Sequence, residues 1–117
     1  MKIVRVLLSP EAEESYSQLE QKAADSKIER SIFNAVKKKV ELIKAYIHYG
    51  DHLSRELFPK EYTDKYGITN LFRLELPNFW RMLYALSNGD GEKEIIVFVL
   101  DIIDHETYNK KFGYRRK

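Results

Sequence analysis

The first apolar run, Ile3 to Leu8, is short, β-branched and leucine-rich, and only Arg5 interrupts it. Such a run reads as a strand. The spacing then changes. Ala12, Tyr16, Leu19 and Ala23 recur at three- or four-residue intervals, while Glu13, Glu14 and Glu20 fall elsewhere; that period predicts an amphipathic helix. Ser9-Pro10-Glu11 supplies its start: a capping side chain, a proline where no N–H is needed, and an acid in the first turn. Ala24-Asp25-Ser26 breaks the pattern. Ile28, Ile32, Ala35, Val36, Ile43 and Ile47 then share one face of a longer helix, with Lys37, Lys38 and Lys39 beside it and Gly50 as the expected stop. So short a break predicts that residues 10–49 pack as an antiparallel helical hairpin.

Residues 50–69 show no period and contain Pro59 and Gly67, so they read as a loop with at most a short helical turn. Strand-like spacing returns afterwards. Asn70 to Leu76 alternates and ends at Pro77, Phe79 to Leu86 is aromatic and apolar around Arg81, and Glu94 to Ile103 is almost continuously apolar. The last has the pattern of a central strand buried on both faces. Pro77-Asn78 and the cluster Ser87-Asn88-Gly89-Asp90-Gly91 are turn signals, so these three strands form a meander. The expected order is β-α-α-β-β-β, an α+β fold with the hairpin packed on a mostly antiparallel four-stranded sheet that the first strand joins. The stripe from Ile28 to Ile47 should meet the sheet through Phe98 and Leu100, or through their alternates Val97 and Val99.

The 117 residues suit one domain, taken here as residues 1–117. With no cysteine there is neither a disulfide framework nor a thiolate zinc site, which fits a reducing cytoplasm. No apolar run approaches the roughly 20 residues that span a bilayer, and the N-terminal stretch is too short for a signal segment. A membrane role is therefore not expected. The net charge of +2 hides an asymmetry: residues 51–109 carry six basic and eleven acidic side chains, and the last eight carry five basic and no acidic ones. Such a tail either steers the molecule toward a polyanion or is a solvated terminus.

Leu71-Phe72-Arg73-Leu74-Glu75-Leu76, then Trp80-Arg81-Met82-Leu83-Tyr84, then Ile95-Ile96-Val97-Phe98-Val99-Leu100-Asp101, followed by His105 and Tyr108, resembles the RelE/ParE toxin superfamily. The similarity lies in the order and spacing of short segments over essentially the whole chain. It implies the toxin of a type II toxin–antitoxin system. RelE-like members cut messenger RNA on the ribosome without a metal or other cofactor. ParE-like members inhibit DNA gyrase by contact. Either kind is neutralised by an antitoxin protein, expected here to fold onto the helical hairpin, the sheet or both.

RNA cleavage by its own 2′-hydroxyl needs a proton acceptor, cations for the charged phosphorane and an acid for the leaving oxygen. Arg81, inside an apolar strand, matches the family arginine that contacts the scissile phosphate; the alternative is a structural pair with a carboxylate such as Glu75. Arg73 is a second cation that joins Arg81 if the register allows. His105 and Tyr108 lie three apart, on one face if helical. The family places a catalytic tyrosine or histidine near the C-terminus, and Tyr108 matches that position best. Lys60, Arg115 and Arg116 are candidate RNA contacts, and Tyr46, Tyr49, Tyr62 and Tyr66 candidate stacking residues. His48, Asp51 and His52 only mimic a metal site and read as surface residues.

The chain departs from the nuclease pattern where Asp101, Asp104 and Glu106 stand after the last strand, since carboxylates repel a phosphate. Either they point away, or one orients His105, or cleavage is weak. Three readings stay open on sequence: a ribosome-dependent endoribonuclease, a non-catalytic gyrase-type toxin, and a member that only binds its antitoxin.

Overall fold

The longest apolar run of the chain lies inside the sheet. In the computed structural model, which describes residues 2–89, 91 and 93–113, Glu94–Ile103 forms a strand, β5, with a neighbour on each side. β1 (Ile3–Leu8) lies parallel to it and β4 (Arg81–Asn88) antiparallel. β3 (Phe72–Glu75) pairs antiparallel with β4, and the two-residue β2 (Asp51–His52) closes that edge beside β3. The sheet order is β1-β5-β4-β3-β2. Four helices accompany it: α1 (Pro10–Ala23), α2 (Lys27–Ala45), α3 (Lys60–Tyr66) and α4 (His105–Phe112). The fold is α+β, and the sheet is mixed and open. Among the described residues, no helix is long and apolar enough to cross a membrane.

The expected plan of four strands and two helices is thus corrected. β2 and α3 occupy the stretch read as a loop, and α4 follows the last strand. Two residues of strand and seven of helix are too short to express a period. α3 is ended instead by Gly67, whose φ of 59° is the left-handed conformation that glycine adopts without strain. α4 is polar overall, yet the Asp104 side chain caps it by accepting from the Thr107 N–H at 2.8 Å, and Gly113 stops it at φ 68°.

α1 begins as its capping signal predicts. Ser9 Oγ accepts from the Ala12 N–H at 3.0 Å and donates to the Leu100 carbonyl at 2.7 Å, so one buried hydroxyl caps the helix and ties it to β5. α2 ends earlier than expected, at Ala45, because Tyr46 turns extended. Gly50 is therefore not the helix stop. A Cβ there would lie 3.0 Å from the Tyr84 ring and 3.1 Å from the Arg73 carbonyl, while its N–H donates to the Tyr84 hydroxyl at 2.9 Å. The glycine permits a close approach of chain to sheet.

Apolar side chains pack on both faces of the sheet. The α1–α2 hairpin buries Ala12, Leu19, Ile32, Val36 and Ile43 against Met82, Tyr84, Val97, Val99 and Ile102. The alternates Val97 and Val99 are therefore the residues that meet the helices, and Ile28 is exposed. The other face gathers Tyr62, Leu71, Leu83, Leu100, Ile103 and Tyr108. Strict alternation fails in β5 because Leu83 pairs with Asp101 while Tyr84 pairs with Val99, which leaves Leu100 as a bulge. Leu100 and Asp101 consequently both turn to the face covered by α3 and α4.

Glu11, in the first turn of α1, joins that helix to α3. It accepts from Lys65 Nζ at 2.6 Å and from the Tyr66 hydroxyl at 2.8 Å. The Lys65 hydrogen bond, then that of Tyr66, lowers its carboxyl to about 2. Because the folded value lies below the unfolded one, this contact stabilises the protein above the ordinary carboxyl range, and the contribution is lost as pH falls through about 2. The carboxylate is 41% exposed, so solvent screening keeps the effect modest. Urea unfolding along an acid series should show Glu11→Gln losing less stability than the parent below neutral pH. Parallel curves would deny the contact this role.

Candidate functional site

The sheet face beneath α4 collects most of the residues singled out from the sequence. Across β3 and β4, Arg73 pairs with Leu83 and Glu75 with Arg81, so both arginines project from the same face on neighbouring strands. α4 lays Tyr108 between them. Arg73 Nη1 donates to the Tyr108 hydroxyl at 2.9 Å, and the Arg81 guanidinium stands 5.0 Å from the centre of the Tyr108 ring. Phe112 stacks on the same ring at 4.4 Å. Tyr108 is only 1% exposed, so its hydroxyl is spent on orienting Arg73 and its ring on supporting Arg81.

Each guanidinium also meets a carboxylate. Arg81 Nε lies 3.3 Å from Glu75 Oε2, an ion pair that falls short of hydrogen-bond geometry, since this buried Nε has no acceptor in line. Arg73 Nη2 is 3.6 Å from Asp51 on the edge strand. Arg81 Nη1 donates to the Phe79 carbonyl at 2.7 Å. That bond holds the turn at residues 77–79, where Asn78 and Phe79 adopt φ of 59° and 63°. A left-handed phenylalanine is a costly conformation that surrounding contacts must enforce. The exposed Phe79 ring reaches His105, centre to centre at 6.0 Å. His105 begins α4, is exposed, and has Nε2 3.2 Å from the Asn109 amide.

The structure therefore brings Arg73, Arg81, Tyr108 and His105 into one region. Lys60 is not part of it: it sits at the start of α3, exposed and paired with Asp64 at 2.8 Å. Arg115 and Arg116 lie outside the described residues. Of the four tyrosines considered for stacking, Tyr62 is buried and Tyr66 is bonded to Glu11, while Tyr46 and Tyr49 stay exposed just after α2.

The three carboxylates at the end of β5 and just beyond it do not converge on the arginines. Asp104 is committed to capping α4, and the Thr107 hydrogen bonds hold its carboxyl below the usual range. Glu106 is exposed. Asp101 is 3% exposed and faces α3, where it accepts from the Tyr62 hydroxyl at 2.6 Å and lies 3.5 Å from Lys111 Nζ. Burial pushes its carboxyl up, opposed by Tyr62 and Lys111. Lys111 is shared with Glu61 at 2.8 Å, so this polar cluster clamps α3 to α4 and to β5. Sequence reasoning missed it because the bulge at Leu100 decides which way Asp101 points. His48 and His52 both rest against the Phe72 ring, at 5.7 and 5.2 Å. Among the described residues, no group of three His, Asp or Glu side chains is placed to hold a metal ion.

No family model, no curated protein and no solved structure matches this chain.

Proposed function

We propose that the protein is the toxin of a type II toxin–antitoxin pair and acts as a ribosome-dependent mRNA endoribonuclease. The observation that carries this reading is the convergence of Arg73 and Arg81 on Tyr108, with His105 exposed beside them. Two guanidiniums held by a buried ring form a preorganised cationic pair, which is what a pentavalent phosphorane requires. His105 is accessible and carries the proton of the attacking 2′-hydroxyl or of the leaving oxygen. Tyr108 holds the arginines in place. Glu75 and Asp51, both at the exposed rim, neutralise the arginines until a phosphate displaces them. The ribosome supplies the remaining alignment of the RNA. The α1–α2 hairpin against the β3-β4-β5 meander supports a RelE-like fold; β2, α3 and α4 are additions to the plan that the resemblance implies.

A second reading, a non-catalytic toxin of the gyrase-inhibiting kind, draws on the carboxylates Asp101, Asp104 and Glu106 and on the burial of Tyr108. One experiment separates the two: induced expression with mapping of mRNA 5′ ends, run beside a gyrase supercoiling assay. New 5′ ends within translated codons are expected. Intact messages with blocked supercoiling would favour the second reading, and neither effect would remove both.

A further inference from the structure

The two edges of the sheet are unlike. One ends in the two residues of β2, and the other in the six of β1. The Ile3 N–H donates to the Lys93 carbonyl at 2.7 Å and the Ser9 N–H to the Val99 carbonyl at 2.9 Å. Backbone groups alternate sides along a strand. Ile3, Arg5 and Leu7 thus direct theirs to β5, and Val4, Val6 and Leu8 turn theirs outward, where no described strand pairs with β1. The side chains of those same three residues line a groove of about 670 Å³ against α2, with Tyr16, Val36 and Val40. Long apolar edges are ordinarily guarded by proline, a bulge or a free charge. β1 has neither proline nor bulge, and its one charge, Arg5, is paired with Glu94 at 2.9 Å.

We propose that the outer edge of β1 and the groove beside α2 receive an extended acidic segment of a partner protein, which joins the sheet as a sixth strand. Main-chain bonds to Val4, Val6 and Leu8 would provide affinity, and every second side chain would enter the groove. Charge selects the occupant. The groove is bordered by Arg5, Lys37 and Lys44 against the one carboxylate of Glu41. A second copy of this chain, paired edge to edge, would bring the two lysine borders together. A segment alternating apolar residues with carboxylates meets them with opposite sign. This inference stands apart from the nuclease reading, and it names the surface for an antitoxin if that reading holds.

The test uses the isotope-labelled full chain and a capped peptide alternating valine with glutamate. Binding should slow amide exchange at Val4, Val6 and Leu8 and leave Ile3, Arg5 and Leu7 unchanged, because these are already bonded. Methylating the peptide nitrogens of the valines alone, or of the glutamates alone, should weaken binding at least about tenfold (about 1.4 kcal/mol) in one case and spare it in the other, since only one set faces β1. A valine–lysine peptide should bind more weakly, and Lys37→Glu should reverse that preference. Unaltered exchange at Val4, Val6 and Leu8, equal loss with both methylated peptides, or equal binding of the lysine peptide would overturn the proposal. So would protection of the same amides by self-association.

Discussion

Arg81→Ala should remove most RNA cleavage while leaving a folded protein. If the proposed function holds, Arg81 offsets the charge that grows on the phosphorane, and losing one such donor typically lowers the rate ~10²–10³-fold. The structural loss is smaller. Its partner Glu75 lies largely in solvent, where an ion pair contributes little, and the contact over the Tyr108 ring is worth about 0.5–2 kcal/mol. Single-turnover cleavage on programmed ribosomes should therefore fall far more than the melting temperature. Arg81→Lys should recover only part of the activity, because an ammonium cannot bond the Phe79 carbonyl and present a planar fork together. Tyr108→Phe keeps the ring under Arg81 and deprives Arg73 of its 2.9 Å acceptor, so an intermediate loss is expected. Full cleavage by a well-folded Arg81→Ala protein would take Arg81 out of the mechanism.

The largest effect on stability should come from the Tyr62 hydroxyl, which takes no part in that chemistry. Tyr62→Phe leaves the Asp101 carboxylate buried with only Lys111, 3.5 Å away, in place of a hydroxyl at 2.6 Å. Hydrogen bonds to buried charged groups contribute about 1.5–3 kcal/mol, and a loss of that size is expected at neutral pH. The sign of the pH dependence follows from the direction of the shift. Burial raises the Asp101 carboxyl in the folded state, so ionisation opposes folding at high pH and the penalty is relieved as pH falls. Removing the Tyr62 hydroxyl deepens that penalty. The gap between parent and variant should be widest at neutral pH and narrow in acid, once Asp101 is protonated. Denaturant unfolding at both pH values measures it. A gap independent of pH would mean that Asp101 is already neutral in the folded protein.

What could be read from the sequence tracks how far each signal extends along the chain. β5 and β1 are nearly continuous apolar runs, and α1 carries cap, proline and acid in consecutive positions, so their limits are legible to the residue. β2 and α3 are shorter than any period, and α4 is polar enough to hide between its own signals, Asp104 and Gly113. The candidate site divides the same way. Arg73 and Glu75 share a face by parity alone. Whether Arg81 joins them depends on the turn at residues 77–79, whose two left-handed residues set the register. Tyr108 was legible as a candidate, but its burial depends on where α4 docks. Asp101 could not be placed, because parity assigns it to the face of Val97 and Val99, and one unpaired residue moves it to the other.

The parallel pairing of β1 with β5 joins residues 3–8 to a strand that begins at residue 94. The chain is made from its N-terminus at about 5–20 residues per second. Until that strand emerges, β1 has no neighbour to bond, and the hairpin of α1 and α2 lacks the strand it covers. α4 is later still, so Tyr108 cannot be in place between Arg73 and Arg81 until all five strands have been synthesised. The order of synthesis thus acts as a timer: the arginine cluster is assembled only after every strand of the sheet has been made.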